Sequence, residues 1–335
     1  MTLESYVLEV MDGKRKGKTL LHALSYLYQG GVALRNLAYD TKICSSAKVK
    51  VPVISVGNIV AGGTGKTPLV KMLAQELSKT LKVAVLSRGY RSKVENSGDV
   101  LCIHAETPVE MCGDEPFWLA CELPQVAIWV GKNRVASANR AIEKGAEVLI
   151  LDDGMQYRDL QRDMEIVVMD GEDLFGKGYF LPRGLLRDNP GRLKKAALIV
   201  VNDAKCHKKI KEKLSSYTNA PLMFVRMKLQ ENLKGKRVGV FCAIGKPTRF
   251  LQSVKDAGAE VLSTFFKPDH DPFLPEELSL FAQKSGADAI VCTQKDYVKI
   301  PRQFSCSLPI LPLQGEFEIV SGKEEWQKLK RRLYE

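Results

Sequence analysis

Residues 51–67 read Val-Pro-Val-Ile-Ser-Val-Gly-Asn-Ile-Val-Ala-Gly-Gly-Thr-Gly-Lys-Thr, and this stretch decides the fold. An apolar strand pattern comes first, a glycine-rich turn follows it, and a helical pattern begins at Lys66. Backbone N–H groups in such a turn wrap a phosphate chain, and the positive end of the helix favours the anion. The stretch therefore predicts a phosphate-binding loop, although Val60 stands where the strict GxxxxGKS/T pattern has glycine.

The turn offers candidate contacts for a nucleotide and its magnesium ion. The Lys66 ammonium would reach the β- and γ-phosphates, and the Thr67 hydroxyl would ligate Mg²⁺. The alternative is a glycine-rich turn that binds nothing. The predicted nucleotide-binding residues are Gly62, Gly63, Thr64, Gly65, Lys66 and Thr67.

A pair of carboxylates follows another apolar run, at 148–151. An Asp-Asp-Gly sequence after a strand is, by itself, more often a plain turn. Beside a phosphate-binding loop it has a second interpretation, because Mg²⁺ and its waters bind carboxylate oxygens at the ends of neighbouring strands. The sequence therefore predicts Asp152 and Asp153 as metal ligands together with Thr67.

Apolar runs alternate with helical patterns along most of the chain. Continuous apolar strands separated by helices indicate a parallel sheet that is covered on both faces. A second cycle of strands and helices begins near Val238. The sequence predicts an α/β fold with a P-loop NTPase-like domain at 1–222, a smaller α/β domain at 223–322 that closes over the nucleotide, and a terminal helix at 323–335.

Composition narrows the class of protein further. The chain has 335 residues, a formal net charge of +11 and 8 cysteines without a CxxC pair. This cysteine spacing argues against a zinc site and a disulfide framework, and it is consistent with a reducing cytosol. A basic surface suits nucleic acid, anionic lipid headgroups or phosphorylated substrates, and charge alone does not select among them.

The N-terminal segment combines charge with an apolar pattern. A basic run at 14–18 precedes leucines and tyrosines that recur at helical spacing up to Tyr28. Polar residues and glycines at 29–31 argue against a membrane-spanning helix. The segment predicts an amphipathic helix, which could lie in a bilayer interface or pack on a core with a charged end exposed.

Ordered motifs across the chain resemble those of the tetraacyldisaccharide 4′-kinase family of the lipid A pathway in Gram-negative bacteria. They are Val56–Pro68, Ser87–Tyr90, Gly113–Pro116, Leu151–Gln156, Leu186–Asp188, Ala243–Pro247, Pro268–His270 and Thr293–Asp296. The resemblance implies phosphorylation of the 4′-hydroxyl of a tetraacylated glucosamine disaccharide 1-phosphate, with ATP and Mg²⁺, to give lipid IVA. It also implies a peripheral enzyme on the cytoplasmic face of the inner membrane, which favours the interfacial interpretation of the N-terminal helix.

The resemblance assigns catalysis to Asp114 and His270 together with Lys66. Asp114 would take the proton of the sugar hydroxyl, and His270 would complete a dyad from the second domain. From the residues alone, Asp114 could instead cap a helix that begins at Glu115, and Glu115 could be the base. His270 could equally be a loop residue.

Contacts to the acceptor or to phosphates are expected from Arg88, Tyr90, Gln156, Arg187 and Asp188. Arg88 and Tyr90 could equally belong to a solvated loop, and Arg187 could be an ordinary surface arginine.

Three positions depart from the family pattern. Asp188 and Gln294 stand where the family usually has glutamate, and Arg183 stands where a small residue is commoner. Aspartate is one methylene shorter than glutamate, so the expected contact of residue 188 with the metal or the ligand is in question.

A regulatory GTPase or a partitioning-type P-loop ATPase is the main alternative. A GTPase recognises the guanine base with an Asn-Lys-x-Asp motif. In Thr293–Asp296 the lysine stands one position later than in that motif. The partitioning class has lysine at the position of Ala61. Nucleic acid is not predicted as a partner, because the chain carries no RNP, zinc-knuckle or helix-turn-helix signature.

Overall fold

The computed structural model describes Val10 and residues 18–269, 271–301 and 303–333. The chain forms two compact units, each assembled from separate segments. The first unit contains residues 1–66, 142–225 and 319–335, and the second unit contains residues 67–141 and 226–318. These units differ from the predicted contiguous division at 222/223, because residues 67–141 pack with the later segment of the chain.

Strands and helices alternate in chain order, as the sequence predicts. The strands are β1 (Val53–Gly57), β2 (Val83–Ser87), β3 (Leu101–Ile103), β4 (Ala127–Val130), β5 (Val148–Asp152), β6 (Met164–Asp170), β7 (Leu198–Asn202), β8 (Leu222–Leu229), β9 (Arg237–Cys242), β10 (Glu260–Phe266), β11 (Ala289–Thr293), β12 (Ile310–Leu313) and β13 (Gly315–Ser321). The helices are α1 (Lys18–Asp40), α2 (Lys66–Leu77), α3 (Lys93–Ser97), α4 (Val109–Cys112), α5 (Asp114–Glu122), α6 (Arg134–Glu143), α7 (His207–Ser215), α8 (Pro247–Asp256), α9 (Pro275–Lys284), α10 (Gln294–Tyr297) and α11 (Lys323–Arg331).

The first unit is built on strands in the order β13-β8-β7-β6-β1-β5, of which β8 and β13 continue into the second unit. From β8 to β5 the paired neighbours are parallel. Strands β1, β5 and β7 are buried along their whole length, because both faces of the sheet are covered. One core cluster joins Val32 of α1 to the sheet residues Val167 and Phe224.

The second unit contains two sets of strands. Strand β2 pairs in parallel with β4, and β3 pairs antiparallel with β4. A four-stranded parallel sheet follows the order β10-β9-β11-β12. Separate apolar clusters cover this sheet, one around Val240 and Val254 and the other around Phe241 and Phe273. The predicted α/β fold with parallel sheets is confirmed.

The predicted N-terminal helix is α1, which extends to Asp40. It continues through Gly30 and Gly31, where an added Cβ would meet no atom within 4 Å. A narrow side of α1 is buried, at Leu21, Ser25, Val32 and Asn36. No helix in the described part of the chain has the length and apolar character needed to cross a bilayer.

Candidate functional site

The glycine-rich turn links β1 to α2, as predicted. Gly62 and Gly65 have φ of +100° and +99°, a region that residues with a Cβ rarely occupy. An added Cβ at Gly62 or Gly63 would meet no atom within 4 Å, so this side of the turn is open. The turn therefore presents backbone rather than side chains, as a phosphate-binding loop requires.

Hydrogen bonds of the buried Thr64 fix the shape of the turn. Its side chain is 2% exposed, and its hydroxyl accepts a hydrogen bond from Asn58 Nδ2 at 3.1 Å. Asn202 Nδ2 donates to the Thr64 carbonyl at 3.2 Å, and Gln156 Nε2 donates to the Asn58 carbonyl at 2.9 Å. Asn58 and Asn202 were not predicted as site residues, since an asparagine after a strand has no distinctive spacing. The predicted substrate residue Gln156 supports the loop through Asn58.

A carboxylate and two cations lie together in the first unit. Lys66 Nζ is 3.8 Å from Asp153 Oδ1, and Arg187 Nη1 is 3.0 Å from Asp153 Oδ2. Arg187 Nη1 is also 3.5 Å from Asn58 Oδ1. Asp153 adopts φ of +50°, unusual for a residue with a Cβ, and strain of this kind often marks functional sites. The structure thus brings three predicted site residues together. Two of them are cations and one is an anion, so the cluster carries a net positive charge.

Asp152 ends β5 and lies opposite Val56 of β1 in the parallel register. Its side chain is almost fully buried, at 4% exposed. Strand β1 leads directly into the glycine-rich turn, so the Asp152 carboxylate is placed at the same end of the sheet as the turn. This is where an open α/β sheet binds its ligands.

A second cluster lies in the second unit, around Lys295. Its Nζ is 3.2 Å from Glu115 Oε1, 3.2 Å from Asp269 Oδ1 and 3.6 Å from Asp114 Oδ2. Burial opposes the charged form of Lys295, but the three carboxylates outweigh it and raise the pKa of the ammonium above its usual value. Lys295 therefore remains charged at physiological pH and holds the three acids together. Sequence reasoning missed this lysine because its partners are 26 to 181 positions away, although the Thr293–Asp296 motif contained it.

Asp114 is the first residue of α5, and Gly113 occupies the capping position. The Asp114 side chain accepts a hydrogen bond from the Glu115 backbone at 3.1 Å and lies 4.0 Å from Lys299 Nζ. Glu115 accepts a hydrogen bond from the Thr67 hydroxyl at 3.0 Å. Both acids that the sequence considered as a base are therefore held at the start of α5. His270 lies outside the described residues.

Gln294, one of the departures from the family pattern, belongs to a polar network in the second unit. Its side-chain carbonyl accepts from Trp118 Nε1 at 3.2 Å, and its amide donates to Glu122 Oε1 at 3.1 Å. Glu122 also binds the buried Lys71 ammonium at 2.6 Å. A neutral amide fits between a donor and a carboxylate, which is a physical reason for glutamine at this position.

The remaining predicted contacts lie on loops. Arg88 is paired with Glu95 and is half exposed, while Tyr90 is 57% exposed. Asp188 is buried, 1% exposed, and accepts hydrogen bonds from Arg35 at 3.2 Å and Asn36 at 2.8 Å. Asp188 thus anchors α1, a role that the sequence did not indicate.

Comparisons with known proteins place this geometry in context. Residues 17–334 match the family model of tetraacyldisaccharide-1-P 4′-kinase. A tetraacyldisaccharide 4′-kinase of Chlamydia pneumoniae is 38% identical over 284 residues, which are 79% of this chain and 77% of the relative. The corresponding protein of Syntrophus aciditrophicus is 34% identical, with 93% of each chain covered.

A solved structure is also similar. It is the crystal structure of the "apo" form of LpxK from Aquifex aeolicus in complex with ATP, with a TM-score of 0.76 and 30% identity. The similarity covers 95% of this chain and 99% of that chain.

Proposed function

The chain belongs to the tetraacyldisaccharide-1-P 4′-kinase family, and we infer that it transfers the γ-phosphoryl group of ATP to the 4′-hydroxyl of a tetraacylated disaccharide 1-phosphate. The family match over residues 17–334 carries this conclusion. The regulatory GTPase and partitioning ATPase are not favoured, because the relatives named above are kinases of this glycolipid.

ATP is held, in this proposal, by the backbone of the open glycine-rich turn, with Lys66 at the phosphates. Arg187 supports the same function, since a guanidinium binds phosphate oxygens through paired N–H groups. In the structure both cations lie beside Asp153, whose carboxylate positions them. Cations fixed in advance lower the barrier for phosphoryl transfer, because they need not reorganise as charge moves in the transition state.

We propose Mg²⁺ as the ion that accompanies ATP. The predicted ligands are the carboxylates of Asp152 and Asp153 and the hydroxyl of Thr67, all hard oxygen donors. Among the residues described, no group of three or more His, Cys, Asp or Glu side chains could hold a metal alone, so ATP oxygens and waters would complete the coordination. When bound, the ion would neutralise phosphate charge.

The acceptor proton goes to a carboxylate, for which we propose Asp114 acting with His270. The Asp114 carboxylate is 11% exposed, and its position is fixed by Lys295 and by the start of α5. A base held in one orientation is favoured for a proton that transfers late in a loose transition state. Glu115 is the alternative base, and its two oxygens contact the Thr67 hydroxyl and the Lys295 ammonium.

Helix α1 is proposed to lie on the bilayer surface, on the cytoplasmic face of the inner membrane. Its outer side carries apolar residues that the protein does not cover, with Leu20, Leu27 and Leu34 being 63%, 74% and 69% exposed. A continuous exposed apolar stripe on a helix is typical of an interfacial helix. The core-packing alternative accounts only for the opposite side of α1, and the basic run at 14–16 lies outside the described residues.

The test is a transfer assay with radiolabelled ATP, Mg²⁺ and micelles that contain the tetraacylated disaccharide 1-phosphate. We expect labelled glycolipid, and no comparable product from an analogue that lacks the 4′-hydroxyl. ATP hydrolysis that is indifferent to the glycolipid, with no label transferred, would refute the proposed function.

A further inference from the structure

Lys295 belongs to the short helix α10, which is fixed to the ends of two strands of the four-stranded sheet. Strand β11 ends at Thr293, whose hydroxyl donates to Asp296 Oδ2 at 2.7 Å. The Asp296 side chain is fully buried, and it also accepts a hydrogen bond at 3.1 Å from the backbone N–H of Ala243, which follows β9. Buried hydrogen bonds therefore hold the backbone from which the Lys295 side chain extends.

The Lys295 ammonium joins the two segments that carry the proposed dyad. Glu115 Oε1 and Asp269 Oδ1 each accept a hydrogen bond from Lys295 Nζ at 3.2 Å. Asp114 Oδ2 lies 3.6 Å from the same nitrogen, which is an ion pair rather than a hydrogen bond. Asp114 and Glu115 begin α5, whereas Asp269 immediately precedes His270 in the sequence. One cation thus ties the segment of the proposed base to the segment of its proposed partner.

A second lysine near Asp114 cannot replace Lys295. Lys299 Nζ is 4.0 Å from Asp114 Oδ2, but it is only 2.9 Å from Asp296 Oδ1. A buried carboxylate is costly without a cation, so Lys299 is retained by Asp296. Lys295 is therefore the nearer of the two cations to Asp114, and it is the one that Asp114 shares with two other acids.

Removal of the Lys295 charge would disturb the arrangement of these acids. The contacting oxygens of Asp114, Glu115 and Asp269 all lie within 3.6 Å of one nitrogen, so without the cation the three carboxylates would repel one another. The Lys295 and Asp114 side chains are largely buried, so salt in the solvent would screen this repulsion only weakly. A displacement of a reacting group by about 1 Å can cost about 10²-fold in rate.

We propose that Lys295 is a positioning residue for phosphoryl transfer, whose ammonium holds the Asp114 carboxylate in the orientation that accepts the proton of the sugar hydroxyl. The inference rests on the proposed function and on Asp114 as the base. Lys295 acts through Asp114, and its charge is required for this role. An ion cluster that only stabilises the second unit would have different kinetic consequences.

Transfer kinetics of Lys295→Met test the proposal, with the full chain, radiolabelled ATP, Mg²⁺ and micelles that contain the glycolipid. We expect kcat to fall about 10²-fold while the KM for ATP stays within about twofold, because Lys295 acts on the base rather than on the nucleotide. Lys295→Arg keeps a cation and should recover at least about tenfold of the lost kcat. A Lys295→Arg enzyme no faster than Lys295→Met would overturn the proposal, since the charge would then not be what matters.

A double-mutant cycle with Asp114→Ala shows whether Lys295 acts through Asp114. In the Asp114→Ala protein, Lys295→Met should lower kcat by less than about threefold further, because the group that Lys295 positions is already absent. Losses that multiply would overturn the proposal. If Lys295→Met does not melt cooperatively, Lys295→Gln takes its place in the same cycle, because an amide can still donate to Glu115 or Asp269.

Lys71→Met is the matched control for the loss of a buried ion pair. Lys71 also belongs to the second unit, and its Nζ lies 2.6 Å from Glu122 Oε2 and 3.7 Å from Glu316 Oε1. Both substitutions should lower the melting temperature, because each leaves buried carboxylates without their cation. Well below the melting temperature, however, Lys71→Met should lower kcat much less than Lys295→Met does. Equal losses of kcat would make Lys295 a structural residue and overturn the proposal.

Two further outcomes separate this inference from the proposed function. A parent protein that transfers no label to the glycolipid would refute the proposed function, and this inference with it. A parent protein that transfers label, together with an Asp114→Ala variant that keeps the full kcat, would overturn the inference alone. In that case the kinase activity would stand, but Asp114 would not be the base and Lys295 would have nothing to position.

Discussion

Replacing Gln294 by glutamate restores the usual family residue, and we expect it to destabilise this protein. The Gln294 amide donates to Glu122 Oε1 at 3.1 Å, so a carboxylate here would face a second carboxylate at that distance. Trp118 Nε1 could still donate to the new side chain, since it already donates to the Gln294 carbonyl. The perturbation is therefore one lost hydrogen bond and one new repulsion.

The magnitude follows from the distance and the burial. Two like charges about 4 Å apart repel by about 4 kcal/mol at an effective dielectric constant of about 20. Lys71 lies 2.6 Å from Glu122 with its side chain 6% exposed, and its charge offsets part of this repulsion. With relaxation of the side chains, we expect a net loss of about 2–3 kcal/mol for Gln294→Glu at pH 8. A loss of that size lowers the melting temperature by roughly 5–10 °C for a unit of this length.

Differential scanning fluorimetry at pH 8 measures this effect. Gln294→Met removes the hydrogen bonds without adding charge and should cost less. Combining Gln294→Glu with Glu122→Gln should recover most of the loss, as a double-mutant cycle requires for a direct interaction. A Gln294→Glu protein that melts with the parent at pH 8 would refute the reasoning.

Three other predictions concern catalysis and acid stability. Lys66→Ala should lower kcat about 10³-fold or more in the transfer assay. Near-normal activity of this variant would show that Lys66 does not act on the phosphates. Asp114→Ala and His270→Ala should each lower kcat about 10²–10⁴-fold with little change in the KM for ATP, and the double variant should be little worse than the poorer single one; multiplying losses would mean independent roles. Hydrogen bonds from Lys195 and Arg158 lower the pKa of Asp40 from its usual 3.8 to about 2, so its contribution to stability is complete above pH 4 and is lost as the pH falls towards 2. Asp40→Asn should remove this part of the acid dependence. The change in the free energy of unfolding should be only a few tenths of a kcal/mol, because the Asp40 side chain is 41% exposed. Melting temperatures measured between pH 5 and pH 2 for both proteins check this expectation.

The glycine-rich turn was predictable because its conformation depends on neighbours in the sequence. Glycines at 62 and 65 permit positive φ, and Lys66 follows them at the start of a helix. The strands were predictable for a similar reason, since β1, β5 and β7 are continuous apolar runs that need burial on both faces. Local pattern therefore predicted the class of fold and the glycine-rich turn between β1 and α2.

The contacts around Lys295 and Gln294 were not predictable in the same way. Lys295 contacts Glu115 across 180 positions, and Gln294 contacts Glu122 across 172. No local pattern encodes partners so far apart, since only the packing of the second unit brings α10 against α5. The buried role of Asp188 escaped the sequence for the same reason, because its partners on α1 precede it by 152 and 153 positions.

Because each unit is assembled from separate segments of the chain, the first unit cannot be completed until the end of the chain has been synthesised. The first unit takes its last strand and helix from residues 319–331, where the Trp326 side chain is fully buried and α11 contacts β7. The ribosome makes these residues only after it has made the whole segment 226–318, which takes several seconds at about 5–20 residues per second. During that interval the nascent first unit carries an uncovered β8 edge and an incomplete core. Translation pauses within that segment should therefore lengthen the period in which the nascent chain depends on chaperones.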